Sequence, residues 1–456
     1  MKEKLKSVAL ILLIALSLYL THQLWYGQLL AEESAEAVYE RVVVENPRPL
    51  TQVLAPANIL VSLDNTMYSL QESGPAFTYM WPELSGLLQE LEYTVYPEPA
   101  PELDPPDACI HLYFQPYLPV GSEQPWVKGS PPELVDQILI SCDGERGMLK
   151  MVLSENGGAV VLSLSAEVME KIDALIAGLP LQELNSVAVL NSDAASVAAS
   201  RNIVIKKPIV IPDQQLMMTS LELMPEDIDR ELILKTFFIN PGLVRTVEER
   251  DGGLLYTDGE RGLRIIEHNL EYSFPLLEST QVNLSYTEAL NSSSSYLSYH
   301  GGWTPNLRLE SLNPGIRMGN RYYQAQWRMY FEGYPAYSRR PVIAIFNDRG
   351  LLNYNRSIYK PISIVIEPDT EDDDDLGPDI ETAPWQEALR EALLLRDLER
   401  STAQDSVVLE DLHLGYAVTG TTATIRALPV WVIKIDGMRF LLQADNLSLI
   451  TVEDLL

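Results

Sequence analysis

The sequence predicts an α+β protein in which one N-terminal transmembrane helix is followed by three extracytoplasmic α+β domains. Three observations lead to this prediction. An uncharged stretch of 20 residues lies near the N-terminus, strand-like runs bounded by turn residues alternate with a few amphipathic helices, and an acidic segment interrupts the chain at 367–383. With 456 residues, 46% hydrophobic and 21% charged, the chain has the composition of a folded protein with room for several domains.

The chain is strongly acidic. It contains 33 Lys and Arg residues against 64 Asp and Glu residues, which gives a net charge of −31. A field of this sign repels phosphate groups, so nucleic acids and anionic membrane surfaces are poor candidate ligands. We therefore expect no nucleic-acid partner and interpret the charge as a source of solubility for an exported body.

Residues 7–26 form the predicted transmembrane helix. They carry no charge, and their number matches the ~20 residues needed to cross a ~30 Å hydrocarbon layer. Three lysines within the first six residues place the N-terminus in the cytoplasm, and Trp25 and Tyr26 lie where an aromatic belt marks the outer interface. We predict that residues 1–30 are a cytoplasmic stub and membrane anchor, with the rest of the chain outside.

A cleaved secretory signal is the alternative interpretation of this segment. The strictly apolar part, residues 7–20, has the length of a signal core. Small residues suited to cleavage do not follow it directly, because the nearest such triplet is at 35–37 and the intervening residues are bulky. Either interpretation predicts export, and the uncleaved anchor fits the residues better.

A spanning helix associates with other helices through small and polar residues. We therefore predict that the anchor contacts partner helices through Ala9, Ala15, Ser17 and Thr21, with Trp25 and Tyr26 as interface anchors. A plain lipid anchor without such contacts fits the same residues equally well.

The first predicted outer domain is an α+β unit at 31–202. We predict strands at Asn58–Leu63, Ile110–Phe114, Ile138–Cys142, Met148–Leu153 and Ala159–Leu164, and helices at Trp81–Tyr93 and Ala166–Ala177. Frequent prolines between Pro97 and Pro132 predict long fixed loops. The two cysteines, Cys109 and Cys142, could pair in an oxidising compartment or remain as half-buried thiols.

The second predicted outer domain, at 203–366, is a helix-plus-sheet unit. We predict strands at Ile203–Ile211, Leu254–Ile266 (two strands with a turn), Tyr322–Phe331, Val342–Phe346 and Leu351–Ile358, and helices at Pro225–Phe238 and Leu276–Tyr299. The second helix is followed by His300-Gly301-Gly302-Trp303, where glycine is a usual helix-ending residue.

An acidic linker at 367–383 separates this unit from the third domain at 384–456, because like charges and prolines cannot build a core. We predict that this last unit is a helix at Pro384–Arg400 packed on an antiparallel sheet, with strands at Val407–Val418, Thr424–Ile435, Met438–Ala444 and Leu449–Val452. A short match between Pro341–Asp348 and Pro429–Asp436 is compatible with a duplicated unit or with coincidence.

The sequence offers little catalytic chemistry. Its five histidines lack metal-ligand spacing, and no glycine-rich phosphate loop occurs, so we predict no metal, no cofactor and no enzymatic activity. Ser357 and Lys360 match the S-x-x-K pattern of acyl enzymes. The companion S-D-N and K-T-G patterns are missing from the sequence, so a plain serine and lysine are the favoured interpretation.

Several segments give the chain a resemblance to the YycH family. They are LWYG at 24–27, PGLVRTVEERDG at 241–252, YTDGERGL at 256–263, HGGW at 300–303 and YFEGYP at 330–335. These motifs are typical of a fold and are not catalytic. The acidic insert departs from what we expect throughout the family, which puts the end of the middle domain in doubt.

The resemblance implies a single-pass membrane protein that regulates the sensor histidine kinase YycG (WalK) and so cell-wall metabolism in Gram-positive bacteria. It implies action together with a YycI-like protein, through contacts between transmembrane helices and between outer domains. Two alternatives stay open. One is an exported binding module for a wall fragment or peptide seated between the outer domains, and the other is a serine/lysine acyl enzyme that uses Ser357 and Lys360.

Overall fold

The computed structural model describes most of the chain beyond the predicted anchor. The described ranges are 13–17, 19, 44–64, 66–71, 74–94, 109–121, 126–130, 133–141, 147–153, 158–180, 184–275, 284–317, 319–362, 379–400, 406–421 and 424–454.

Seven helices follow residue 44 in the described part. They are α1 (Leu50–Val53), α2 (Pro75–Glu90), α3 (Ala166–Ala177), α4 (Ser192–Ala199), α5 (Arg230–Phe237), α6 (Tyr286–Tyr299) and α7 (Trp385–Arg400), with a 3₁₀ turn at Pro241–Leu243.

Strands dominate the described residues. In chain order they are β1 (Asn58–Leu63), β2 (Thr66–Leu70), β3 (Glu92–Thr94), β4 (Ile110–Val120), β5 (Lys128–Ser130), β6 (Glu133–Ser141), β7 (Met148–Leu153), β8 (Ala159–Ser163), β9 (Asn185–Leu190), β10 (Asn202–Ile205), β11 (Ile209–Pro212), β12 (Met217–Thr219), β13 (Leu221–Pro225), β14 (Arg245–Glu248), β15 (Leu254–Thr257), β16 (Gly262–Ile266), β17 (Asn269–Ser273), β18 (Leu307–Arg317), β19 (Asn320–Phe331), β20 (Tyr334–Tyr337), β21 (Val342–Asn347), β22 (Gly350–Arg356), β23 (Tyr359–Pro361), β24 (Asp379–Glu381), β25 (Ser406–Thr421), β26 (Thr424–Ile435), β27 (Met438–Gln443) and β28 (Leu449–Asp454). The predicted α+β class, rich in sheet, is confirmed.

Two large sheets organise these strands. The first has eight strands in the order β11-β9-β2-β1-β4-β6-β7-β8, and all its pairs are antiparallel. The second has 16 strands, with a main path β14-β15-β16-β17-β22-β21-β19-β20-β25-β26-β13-β23 and with β10, β18, β27 and β28 attached beside it. Two small sheets pair β3 with β5 and β12 with β24.

One apolar core runs through both large sheets and their helices. The largest fully buried side chains include Trp126, Trp327 and Trp431. In the first sheet, Ile110 and Leu112 of β4 are fully buried in the same core as Trp81 of α2. In the second, α7 packs against β26 and β27 and buries Leu389. Burial of this apolar surface is the main force that holds the fold together.

The chain crosses between the two sheets in one short segment. The sequence predicts a single strand at Ile203–Ile211, but the structure divides it: β10 pairs in parallel with β25 of the 16-stranded sheet, and β11 pairs with β9 of the eight-stranded sheet. Lys206 and Lys207 lie between the two strands, and Pro208 has no N–H for a ladder bond. This break lets neighbouring residues join different sheets.

Strands from both the predicted middle and C-terminal domains lie in the same 16-stranded sheet. The division of the chain at residues 202, 366 and 383 stays a prediction. Of the predicted linker, 367–378 lies outside the described residues, whereas 379–381 form β24 and Thr382 is fully buried. The Thr382 hydroxyl accepts a hydrogen bond from Leu216 N at 3.0 Å, which fixes this segment beside β12.

Helix ends differ from the predicted ones for identifiable reasons. The helix predicted at Pro225–Phe238 begins at Arg230, because Pro225 ends β13 and Asp229 caps the helix by accepting from Leu232 N at 3.1 Å. The helix predicted at Leu276–Tyr299 ends at Tyr299 but begins ten residues later than predicted, at Tyr286, because Ser285 caps it and forms a capping box with Glu288 in the first turn.

The helix predicted at Trp81–Tyr93 begins six residues earlier, at Pro75. Its apolar face continues in that direction, because Phe77 and Met80 are buried at helical spacing before Leu84.

Candidate functional site

The first described residues after the predicted anchor are bound to the body of the protein. We call residues 44–48 the strap. Glu45 N donates a hydrogen bond to Ser298 O at 3.2 Å, and Ser294 Oγ donates to Arg48 O at 3.0 Å. Both serines lie on α6, so the strap runs along the C-terminal half of this helix before the chain enters the first sheet.

Side chains of the strap hold the loop that follows α6. Glu45 Oε2 accepts a hydrogen bond from Trp303 N at 2.9 Å, and Glu45 Oε1 accepts from Arg48 Nε at 3.1 Å. The Arg48 guanidinium lies 5.1 Å from the centre of the Trp303 ring, within the range of a cation–π interaction. A carboxylate, a guanidinium and an indole thus join the strap to the HGGW segment.

The HGGW segment is shaped by its two glycines. Gly301 has φ +122° and Gly302 has φ +78°, which side-chain-bearing residues rarely adopt. A Cβ atom on Gly301 would lie 2.6 Å from Arg356 Nε, and one on Gly302 would lie 3.1 Å from Glu45 Oε2. The glycines therefore let Arg356 approach from one side and the strap from the other.

Arg356 ties this loop to the middle of the 16-stranded sheet. Its side chain is 3% exposed and pairs with Glu226 through Nε at 2.9 Å and Nη2 at 3.1 Å. It also donates to the carbonyl oxygens of Gly301 and Gly302, each at 3.0 Å. The strap therefore docks on a loop that is fixed by a buried ion pair.

A cleft of about 530 Å³ lies between the two large sheets. Its volume is in the range of small-molecule sites in proteins. Six tyrosines line it, two before residue 202 in the sequence and four after it: Tyr113, Tyr117, Tyr286, Tyr330, Tyr334 and Tyr337. The Gln71 side chain of the first sheet donates a hydrogen bond to the Tyr334 hydroxyl across the cleft.

Two neighbouring strands of the first sheet are irregular at the cleft. On β6, Val135 and Gln137 pair with the consecutive residues Leu153 and Val152, so Asp136 is the extra residue of a β-bulge. On β4, the pairing with β6 skips from Tyr113 to Leu118. Bulges redirect side chains and interrupt ladders, and here they bring Asp136 and the residues after Tyr113 to the cleft wall.

Polar atoms on this wall are buried without partners. Among the described residues, neither Tyr113 OH nor Asp136 Oδ1 has a hydrogen-bond partner. Burial raises the pKa of Tyr113, so its hydroxyl stays neutral. Burial also raises the pKa of Asp136, and the nearby Lys207 ammonium opposes that shift.

His111 supports the Tyr113 ring from behind. The two rings are stacked with centres 4.0 Å apart, and His111 Nε2 lies 3.2 Å from Gln137 Oε1. Burial lowers the pKa of His111 to about 4, against the opposing effect of the Gln137 hydrogen bond. The imidazole is therefore neutral at physiological pH and acts as a flat, uncharged support.

The opposite wall is a closed network of charges around Tyr337. Arg328 lies 3.9 Å and Arg439 4.9 Å from the centre of its ring, and its hydroxyl lies 2.9 Å from His413 Nε2. Arg328 in turn forms two hydrogen bonds to Glu310, at 2.6 and 2.7 Å. The charged side chains of this wall therefore already have partners within the protein.

The residues predicted to contact partner helices fall mostly outside the described part of the chain. Ala15 and Ser17 lie in a helical segment at 13–17 and are exposed. Ala9, Thr21, Trp25 and Tyr26 lie outside the described residues, so their roles stay predictions. Within the ranges given above, no helix is long and apolar enough to cross a membrane.

The S-x-x-K pair does not form an accessible site. Ser357 is 2% exposed and its hydroxyl donates to Tyr359 OH at 3.0 Å, whereas Lys360 is exposed on β23. A serine that is buried to this degree gives the acyl-enzyme alternative no support. No group of three His, Cys, Asp or Glu side chains suited to a metal ion occurs in the described residues.

Cys109 is disulfide-bonded in the structure. The sequence contains one other cysteine, Cys142, which lies outside the described residues. Of the two states left open by the sequence, Cys109 is therefore in the oxidised one.

The sequence left open a binding site between the outer domains but did not identify the residues of this cleft, because its two walls come from residues that are more than 200 positions apart, such as Tyr113 and Tyr337. One local signal was available. Pro116 and Pro119, which the sequence predicts to lie in loops, lie within β4. Proline inside a strand marks an edge or a bulge, and the bulge here is at the cleft.

The comparisons with known proteins agree on one family. Residues 3–121 match the model of the YycH protein N-terminal domain, and residues 206–445 match that of the YycH protein C-terminal domain. A relative from Bacillus subtilis, named as the two-component system WalR/WalK regulatory protein YycH, is 19% identical over 96% of this chain and 95% of its own length.

A solved structure agrees with these matches in fold. The crystal structure of YycH from Bacillus subtilis is similar to this chain with a TM-score of 0.55 and 16% identity, over 87% of this chain and 97% of that one. Two family models that together cover most of the sequence, and a shared fold, lead to one conclusion: the chain belongs to the YycH family.

Proposed function

We propose that this protein is a non-enzymatic, membrane-anchored regulator of a WalR/WalK-type two-component system. The observation that carries the proposal is the correspondence with a named regulator of that system over 96% of this chain and 95% of the relative. The family-model matches at 3–121 and 206–445 include the N-terminal segment and strands of both large sheets, so they support a correspondence of the whole protein.

The regulator acts on the sensor kinase through its transmembrane helix. Residues 7–26 span the cytoplasmic membrane with the N-terminus inside, and Ala9, Ala15, Ser17 and Thr21 pack against helices of the kinase and of a YycI-like partner. Small and polar side chains allow close approach of helix backbones in lipid, where apolar side chains alone give no preference.

The strap transmits the state of the outer body to this helix. It is docked on α6 and on the HGGW loop, and that loop is held by the buried Arg356–Glu226 pair. A shift of the 16-stranded sheet therefore displaces the strap, and the strap is continuous with the segment that leads to the anchor. A flexible segment that is not docked on the body would not transmit such a shift.

An outer surface is available for the YycI-like partner. The side chains of Val197 on α4 and of Leu394 and Leu398 on α7 are 81%, 60% and 77% exposed. The two helices pack against each other, and Arg201 and Asp397 form a two-bond ion pair between them, at 2.8 and 3.2 Å. Exposed apolar residues on a fixed helix pair are typical of protein–protein contact sites.

Co-purification from detergent with the kinase and the YycI-like protein tests the proposal. We expect both partners with the full chain, loss of the kinase when 7–26 is replaced by an unrelated spanning helix, and loss of the YycI-like protein from Leu394→Asp/Leu398→Asp. Leu243→Asp, at another exposed leucine, is the matched control. Retention of the kinase with the foreign helix would contradict the helix-contact mechanism.

A further inference from the structure

The two walls of the tyrosine-lined cleft differ in whether their acidic side chains have partners. We call the wall on which they do the complete wall. On the complete wall, Glu310 pairs with Arg328, and Glu410 pairs with Lys434 at 2.7 Å. Asp411 likewise lies 3.2 Å from His413 Nδ1. On the other wall, Asp136 Oδ1 is buried and has no hydrogen-bond partner among the described residues.

An unpartnered carboxylate oxygen costs stability, because folding removes water from it without providing a donor. A bulge on β6 places Asp136 at the cleft, and a bulge is a local departure from the regular ladder. The Tyr113 hydroxyl, also buried and unpartnered, lies on the neighbouring strand directly opposite Gln137, the residue after Asp136. A carboxylate oxygen that lacks a donor and a hydroxyl that lacks any hydrogen-bond partner therefore lie on adjacent strands of one wall.

The chemistry that satisfies these atoms is that of an ammonium group. An ammonium offers three donors and a positive charge, which suit a carboxylate oxygen and a phenol oxygen together. Tyrosine ring faces attract cations, and the net charge of −31 raises the local concentration of cationic ligands. Lys207 also lines the cleft, and its positive charge suits a ligand that carries a carboxylate as well as an ammonium group.

We propose that this cleft binds a short peptide through a primary ammonium group, with Asp136 Oδ1 and Tyr113 OH as its acceptors and Lys207 facing a ligand carboxylate. The ring of Tyr113, backed by His111, forms the flat surface beside the ammonium. The cleft also lies where the first sheet meets the second, so an occupant contacts both. The proposal does not depend on which kinase the protein regulates.

Calorimetric titration of the full chain in detergent micelles tests this assignment with three probes. Trialanine carries an α-ammonium, N-acetyl-Ala-Lys-Ala carries only a side-chain ammonium, and N-acetyl-trialanine carries none. We expect binding of at least one of the first two, which identifies the source of the ammonium, and binding of N-acetyl-trialanine at least tenfold weaker. No binding of either ammonium probe at 10 mM, or equal binding of N-acetyl-trialanine, would overturn the proposal.

Two conservative variants test the residues. Asp136→Asn removes the charge with little change of shape, and we expect at least tenfold weaker binding. Tyr113→Phe removes only the hydroxyl, and we expect a loss of about threefold to tenfold. Asp193→Asn on α4 and Tyr79→Phe on α2 are the matched controls, which should bind as the unaltered chain does.

Hydrogen exchange gives a readout that needs no variant. Bound peptide should slow amide exchange in 109–121 and 133–141, and exchange on the far side of the second sheet, in 245–257, should not change. If the variants bind as tightly as their controls, or if protection appears elsewhere and not in these strands, the assignment is wrong.

Discussion

Replacing Glu45 with alanine should release the HGGW loop from the strap. The Glu45 carboxylate accepts from Trp303 N at 2.9 Å and from Arg48 Nε at 3.1 Å, so one change removes both contacts. Hydrogen bonds to charged groups contribute about 1.5–3 kcal/mol, and exposed ion pairs about 0.2–1 kcal/mol. Because the Glu45 side chain is 35% exposed, solvent weakens both contacts, and we take a value just below the low end of the first range, a loss of about 1.4 kcal/mol in local stability.

This loss is measurable as hydrogen exchange at the Trp303 amide, the donor of the broken bond. A local opening that becomes easier by about 1.4 kcal/mol raises the exchange rate about tenfold. The Glu45→Ala/Arg48→Ala chain also loses the cation–π contact with Trp303, about 0.5–1 kcal/mol more, and should exchange faster still. Thermal unfolding of the whole protein should change little, because the core is untouched.

Glu222→Ala is the matched control. Glu222 forms an ion pair with Arg426 at 3.1 Å on an exposed part of the second sheet, with side chains about half exposed. Its loss should leave exchange at Trp303 unchanged. Unaltered exchange at Trp303 in Glu45→Ala would refute the docked strap, and equal acceleration in both variants would show that the effect is not specific.

Three further predictions concern stability. Glu226→Gln should lower the free energy of unfolding by about 3–5 kcal/mol, because it leaves the buried Arg356 charge without its partner. Urea titrations measure this loss, and a loss below about 1 kcal/mol would contradict the prediction. Asp136→Asn should stabilise the chain at pH 7, because burial raises the folded-state pKa of Asp136 and the stability of the unaltered chain therefore falls as pH rises from about 3.8 through that pKa. Thermal scans at pH 7 and below pH 3.8 should show a difference that vanishes at the lower pH, and a variant that is no more stable than the unaltered chain at pH 7 would contradict this. Ser285→Ala should cost about 1 kcal/mol through loss of the capping box of α6, measured in the same urea titrations, and no change would show that the cap is dispensable.

Elements whose signal is local were predictable from the sequence. The strands at 58–63 and 148–153 and the helix at 166–177 are confirmed residue for residue. The strands have their apolar pattern within their own residues, and the helix has apolar residues at helical spacing and the Ser165 cap directly before it. The strand at 307–317 was missed, since Asn313, Pro314 and Gly315 have the composition of a turn. Its long pairing with β19 outweighs that local preference.

Long-range arrangements were not predictable. Nothing local distinguishes Ile205 from Ile209, yet the first lies in one sheet and the second in the other. The partner of Arg356 is 130 residues away, and the strap binds a loop more than 250 residues ahead of it. The HGGW motif could be recognised as typical of a family, but its role as the place where Arg356 and the strap meet required the structure.

We propose that this protein regulates a sensor kinase by contact through its anchor and strap. The most direct measurement is the autophosphorylation rate of the WalK-type kinase reconstituted in lipid vesicles with and without the full chain. We predict that the full chain changes this rate and that Glu45→Ala/Arg48→Ala, still bound to the kinase, reduces the change. A rate that the full chain leaves unaltered while the two proteins co-purify would contradict the account.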